Sequence, residues 1–418
     1  MTASPLSVGT DYEALANRFR PLFRKIAAGN IGREQARELP YEPVRWLKQA
    51  GFGAVRVPVE YGGAGASITQ LFQLLIELAE ADSNIPQSLR GHFAFVEDRL
   101  NAPPSPERGA WFARFVAGEL VGNGWTEVGA VKLGEVLTKV SPQGDNYLLN
   151  GAKYYSTGSI FADWIDVYAQ RSDNGAEVIA LVHARHPGVT QSDDWDGFGQ
   201  RTTGSGTSVY VNVPLSAEHV IPFETRFKYQ TAFYQLVLLA VLAGIGRAVE
   251  RDIAQEVRER KRVYSHGNAS TASGDAQILQ VVGQISAQVY AAEATTLRAA
   301  EPLQRAYIAR QAGHDEAERQ ANIDAEIDTS KAQVVVSELI LRATSDLFNA
   351  LGASGVSVSK ALDRHWRNAR TAASHNPWIY KARIAGDWTV NGTEPLYLWQ
   401  IGNSFPHPSP LPEGEGAR

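Results

Sequence analysis

The chain has 418 residues, 44% hydrophobic and 20% charged, with a formal net charge of −5. That suits a globular protein with a large core, built as two or three domains or as one layered architecture, and it supplies no basic field for nucleic acid. Cysteine is absent and Met1 is the one methionine, which excludes disulfides, thiolate nucleophiles and thiolate metal sites.

Residues 1–118 read as a helical domain. Apolar residues recur at helical spacing in Tyr12–Ile26, Val44–Leu47 and Leu71–Leu78. The glycine-rich tract 51–67 interrupts them as a loop. The N-terminal stretch MTASPLSVGTDYEAL lacks a signal-peptide pattern. His92 falls in a predicted helix, SLRGHFAFVEDRL, beside Phe93 and Phe95. Pattern alone leaves a core histidine and a site histidine equally open.

Near residue 119 the period changes. Alternating strands such as WIDVYAQ, VIALVHA and SVYVNVPL predict a small antiparallel β domain over 119–224. GNGWTEVG (122–129) superficially resembles a dinucleotide loop, but a β pattern follows it, so no helix N-terminus is available for a pyrophosphate.

From 225 to 400 the chain is helical again. Phe227–Arg262, Asp275–Arg310 and Glu316–Leu351 suit antiparallel members of a four-helix bundle. The longest apolar run, Leu236–Ile245, is too short to span a bilayer, so a cytoplasmic protein is expected. Residues 401–418 are rich in Pro, Gly and Glu and are expected to form a flexible tail. No metal-binding motif is present.

The fourth bundle element carries the densest run of chemistry, DRHWRNARTAASHNPWIYK (363–381). Arg364, Arg367 and Arg370 recur every third residue and form a drifting basic stripe on a helix. Pro377 disfavours helix at the preceding residue, so the helix should stop near Asn376 and leave His375 at its end. A side chain there can point into a cavity. The ordinary alternative is a satisfied structural histidine.

That run, together with DDWDGFGQRTTGSGTS (193–208) and LNGAKYYSTG (149–158), resembles the acyl-CoA dehydrogenase fold. Within it, the chain is similar to the flavin-dependent monooxygenase branch of dibenzothiophene monooxygenases and sulfur-acquisition oxidoreductases. The resemblance covers about residues 12–395. It implies an α+β, mainly α protein: N-terminal helices, a central β-barrel-like domain and a C-terminal bundle.

The same resemblance implies the site residues. The segment Asn123, Gly124, Trp125, Thr126, Glu127 and Val128 would line the flavin, with a mobile lid following to about 137. Lys153, Tyr154, Tyr155, Ser156 and Thr157 would back the flavin ring, with Thr157 near its N5. Arg262 matches a phosphate-binding arginine; a bidentate guanidinium suits a phosphate. Ala353 and Ser354 match another phosphate contact, usually from a neighbouring subunit, where dibenzothiophene monooxygenases carry arginine. His375 matches the histidine beside the flavin's reactive face and would assist the reaction with oxygen as a group that titrates near neutrality. His92 falls in the region that closes the substrate pocket, where Gly91 replaces an aromatic neighbour.

Acyl-CoA dehydrogenases remove an α-proton with a carboxylate; the matching stretch here, Ser374–Pro377, has none. RVYSHGN (262–268) stands where they bind an FAD pyrophosphate, which favours FMN. The implied enzyme is a homotetramer that takes reduced FMN from a separate NAD(P)H-dependent flavin reductase, with O2 as co-substrate. Sulfur-poor composition has three readings: protection from oxidation, economy in a sulfur-scavenging protein, or drift. Economy favours an organosulfur substrate (sulfide, sulfoxide or sulfone). An amine or aromatic substrate, or a dehydrogenase-like flavoprotein, are the alternatives.

Overall fold

A computed structural model of the chain describes residues 11–128 and 135–398. The expected tail at 401–418 and most of the expected lid, 129–134, lie outside the described residues.

The chain opens with helices α1 (Tyr12–Ala28), α2 (Asn30–Ala36), α3 (Tyr41–Gln49), α4 (Ile68–Ala81), α5 (Asn84–Ser88), α6 (Arg90–Asn101) and α7 (Pro106–Val116). Asp11 caps α1 by accepting the Glu13 N–H, and Leu15, Phe19, Phe23 and Ile26 bury one face. A reciprocal Ser67/Gln70 capping box starts α4. Every residue of α6 is buried, polar ones included. Such a helix serves either as core or as the wall of a site.

Eight strands follow: β1 (Val121–Gly124), β2 (Lys139–Gln143), β3 (Asn146–Lys153), β4 (Trp164–Arg171), β5 (Glu177–His183), β6 (Val189–Gln191), β7 (Ser208–Leu215) and β8 (Val220–Pro222). Their order is β6-β7-β3-β2-β4-β5-β8, and β1 pairs with β4. Most pairs are antiparallel, as alternation predicts. The exceptions are β1 and β2, which both run parallel to β4. Alternation reports which face is buried and carries no strand direction.

The C-terminal part contains α8 (Gln230–Glu259), α9 (Ala276–Ala312), α10 (Asp315–Asp346), α11 (Asp363–Ser374) and α12 (Ile379–Asn391). Helix α8 is the hub. Helices α4, α9, α10 and α11 all pack on it, so its apolar run Leu236–Ile245 is buried on every side. One large apolar cluster joins the N-terminal helices to this bundle. A smaller one, including Phe95, Trp111, Phe115, Ile179 and Leu181, fastens α6 and α7 to β5.

Candidate flavin and substrate cavity

Where β1, the start of α6, the first turns of α8 and the end of α11 converge, they enclose a cavity of about 900 Å³. A second concavity, about 660 Å³ between α1, α4 and α8, holds ion pairs such as Arg20–Glu77 and Arg247–Glu80 and none of the residues singled out from sequence.

Asn123 reaches the large cavity because the parallel pairing of β1 with β4 sets it opposite Asp166. Ser159 Oγ donates to the Asn123 carbonyl at 3.0 Å and fixes the backbone. Helix α6 passes so close that a Cβ on Gly91 would lie 2.7 Å from Asn123 Oδ1. Glycine is therefore required at that crossing. Trp125 lines the cavity and donates from Nε1 to Asp166 Oδ1 at 2.9 Å. Asp166 in turn pairs with the buried Arg226 at 2.8 Å, which stacks on Trp125. The indole is thus held from two sides.

Glu127 lines the cavity, yet its carboxylate is engaged. It accepts from Lys153 Nζ at 2.7 Å and from the Leu137 and Thr138 backbone N–H groups. Burial opposes its charge, but those donors outweigh burial and lower its pKa. Thr157 and Ser205 share a hydrogen bond of 2.8 Å at the wall. Tyr155 adopts a left-handed backbone, φ 55°, and turns its ring to the cavity edge-on to Trp195.

The arginine stripe of α11 splits three ways. Arg364 is buried against Asp252 at 2.6 Å. Arg367 pairs with Glu34 and Asp363, both at 2.8 Å. Arg370 faces the cavity. The helix ends at Ser374, and His375 lines the cavity, close to the stop expected from Pro377. His375 is solvent-exposed at the cavity wall, with Nδ1 3.3 Å from Asn376 Oδ1. Desolvation by the nearby wall, and then the Arg90 charge, lower its pKa from the ordinary value, against a weaker opposing hydrogen bond to Asn376; the exposed side of the residue keeps water in contact with it and limits that shift. The direction of this shift is away from the titration near neutrality expected from the sequence.

Val128 and Thr126 also line the cavity. Gly124, Lys153, Tyr154 and Ser156 stand behind the wall. Lys153 is fully buried on Glu127, and the Tyr154 N–H donates to the Thr126 carbonyl.

His92 does not reach the cavity. It is buried, Nε2 donates to the Gly53 carbonyl at 2.9 Å, and Nδ1 accepts the Val121 N–H at 3.2 Å. Both nitrogens are used, one tautomer is selected, and burial lowers its pKa to about 4. It is a strut between the 51–54 turn and β1.

Arg262, Ala353 and Ser354 are likewise outside the cavity, on an exposed corner. Arg260 donates to the Ala350 carbonyl there at 3.0 Å, and a Cβ on Gly352 would strike the Tyr264 hydroxyl. The physical reason is the length of α8. Its first turn supplies Thr231 and Tyr234 to the cavity, and Arg262 follows its far end, about 45 Å along the axis at 1.5 Å per residue for 30 residues.

Sequence reading missed Gln87, Arg90, Gln200 and Tyr234. All four line the cavity, and each has a buried polar atom with no hydrogen-bond partner among the described residues, as does Asn123 Oδ1. For Arg90, a charge set between the apolar residues Leu89 and Phe93 was the one available signal. The unpaired Asn123 and Gln200 side-chain oxygens, with two tryptophans in the same lining, fit a flat heteroaromatic ring with polar edges, such as a flavin.

Comparison with known proteins agrees. The acyl-CoA dehydrogenase N-terminal domain pattern matches residues 11–119, and the C-terminal domain pattern matches residues 236–378. A dibenzothiophene monooxygenase of Mycolicibacterium goodii is 26% identical over 393 residues, 90% of this chain and 94% of its own. A probable FMNH2-dependent monooxygenase of Pseudomonas putida, SfnC, is 24% identical, covering 90% and 94%. FMN-bound TdsC from Paenibacillus sp. A11-2 superposes with a TM-score of 0.82 at 26% identity, covering 91% of this chain and 98% of that one. Matched at both helical ends and aligned along nearly its whole length, the chain belongs to the acyl-CoA dehydrogenase family, in the branch of the flavin-dependent monooxygenases.

Proposed function

We propose that the chain is the oxygenase of a two-component system that takes reduced FMN from a separate NAD(P)H-dependent flavin reductase and uses O2 to oxygenate an organosulfur compound. The observation that carries this reading is the cavity's composition. Asn123, Thr157 and His375 meet there, and the one carboxylate among its described lining residues, Glu127, is locked to Lys153. A dehydrogenase needs a free carboxylate to take an α-proton; an oxygenase does not. The names of the relatives support FMN and sulfur oxidation.

Bound reduced FMN would supply the electrons that activate O2. The chain supplies the surroundings. Asn123 Oδ1 and the Thr157–Ser205 pair would hold the ring edge, and Trp125 would exclude water from one side. His375 would accept a hydrogen bond or a proton at its free nitrogen. Arg262 and Ser354 suit a phosphate, but α8 carries them away from their own cavity, so a second copy of the chain would bring them to it. This supports the homotetramer implied by the family.

The test is anaerobic loading with FMNH2, mixing with O2, and mass analysis of products from sulfide, sulfinate, amine and aromatic compounds. A sulfur-containing product gaining oxygen is expected. An amine or arene gaining oxygen in its place would select the alternative substrates, and substrate oxidation without O2 would select a dehydrogenase.

A further inference from the structure

Six arginines are buried among the described residues: Arg33, Arg56, Arg90, Arg99, Arg226 and Arg364. Five have a carboxylate partner: Asp82, Glu97, Asp98, Asp166 and Asp252 respectively, once Arg90 is set aside. Arg90 forms no salt bridge to any described residue, and its Nε has no hydrogen-bond partner among them. It is only 6% exposed. The Tyr234 ring lies 5.1 Å from the guanidinium carbon. A buried, unpaired charge is strongly unfavourable, and a protein that has compensated every comparable group has a reason to leave one open.

The position of Arg90 gives that reason. It lines the large cavity, beside Gln87 and Tyr234, which also carry unpartnered polar atoms. Of the other charged lining residues, Glu127 is already neutralised by Lys153, and Arg370 adds a second positive charge. The lining therefore has a net positive charge. Burial lowers the pKa of Arg90 to about 10, so the guanidinium stays charged at neutral pH. Its charge is also felt at His375, which places it within electrostatic reach of the imidazole.

We propose that Arg90 anchors an anionic oxo group of the substrate, so that the compound oxygenated is a small organic sulfinate, whose sulfur takes up one oxygen atom to become a sulfonate, and not a neutral polycycle. This rests on the reading of the cavity as a flavin-dependent oxygenation site. A guanidinium offers a planar pair of N–H donors that matches two oxygens of such a head group. Gln87 and Tyr234 would complete the recognition at the edge. The uncharged remainder would lie toward Trp125 and Trp195.

The test uses the full-length protein and the fluorescence of the cavity tryptophans, titrated with methanesulfonate and with the neutral dimethyl sulfone. FMN affinity is measured separately by flavin fluorescence. The wild type should prefer the sulfonate by roughly tenfold or more, with the preference shrinking at high salt. Arg90→Gln should abolish the preference while FMN affinity stays unchanged, and Arg90→Lys should keep part of it. Equal affinity of the wild type for both probes would overturn the proposal without recourse to any variant. Loss of FMN binding in Arg90→Gln, with the sulfonate preference intact, would also overturn it, by assigning the guanidinium to the flavin. If the wild type prefers the sulfonate but binds no FMN, the anchor stands and the flavin reading fails.

Discussion

His92→Ala should destabilise the protein by about 3–5 kcal/mol while leaving the chemistry of the folded fraction intact. The imidazole bridges the Gly53 carbonyl and the Val121 N–H, at 2.9 and 3.2 Å. Each group left unpaired in the interior costs about 1–3 kcal/mol. The edge-on contacts with Phe93 and Phe115 add about 1 kcal/mol, and partial relaxation keeps the sum near the middle of the range. Because β1 begins at Val121 and carries Asn123 two residues later, looser flavin binding is a secondary effect. The assay is urea unfolding followed by tryptophan fluorescence, with kcat measured at saturating FMNH2. His92→Gln, which keeps a donor and an acceptor, should recover part of the loss. A change below about 1 kcal/mol together with a collapse of kcat would refute the reasoning and return His92 to the active site.

The same histidine sets a pH dependence. Its folded pKa lies below its unfolded value, so the unfolded chain takes up the proton first and stability falls as pH drops from about 6.5 toward 4, by at most about 1.4 kcal/mol per unit. Unfolding midpoints at pH 7 and 5 should draw closer together in His92→Gln. His375→Ala should lower kcat by roughly a hundredfold or more, the scale of a lost acid–base group, with FMN affinity nearly unchanged. Product formation per turnover against flavin titration separates the two effects. Because the His375 pKa is depressed, wild-type kcat should show no break near pH 6.5 from this group; a break abolished by His375→Ala would refute the depressed pKa. Arg262→Ala should weaken FMN binding by about tenfold or more at protein concentrations where oligomers persist, and have no effect where size-exclusion chromatography shows single chains.

Much of the architecture was legible without coordinates, because periodicity reports burial directly. The helical spacing around Phe19 and Phe23, the alternation in WIDVYAQ and the apolar run in α8 each correspond to a surface that must be covered. Pro377 was enough to locate the end of α11 and leave His375 next to a cavity, since the constraint acts on the neighbouring residue alone. Strand direction was not legible. The parallel pairing of β1 with β4 brings together segments about forty residues apart, and alternation is the same whichever way they run.

The site separates along the same line. Residues such as Asn123, Thr157 and His375 were named from motifs, and all three reach the cavity. His92 and Lys153 were named on the same grounds and serve as buried struts. A motif records residue types and order, and those do not say which way a side chain points. The absence of thiols, and of a carboxylate in Ser374–Pro377, was settled by composition and local sequence, whereas the engagement of Glu127 by Lys153 was not. Which arginine is left without a partner was settled only by packing: Arg226 and Arg90 are both buried arginines, and what distinguishes them is Asp166, brought to one of them from across the fold. Charge compensation is a property of distances in space, and only the tertiary structure supplies those.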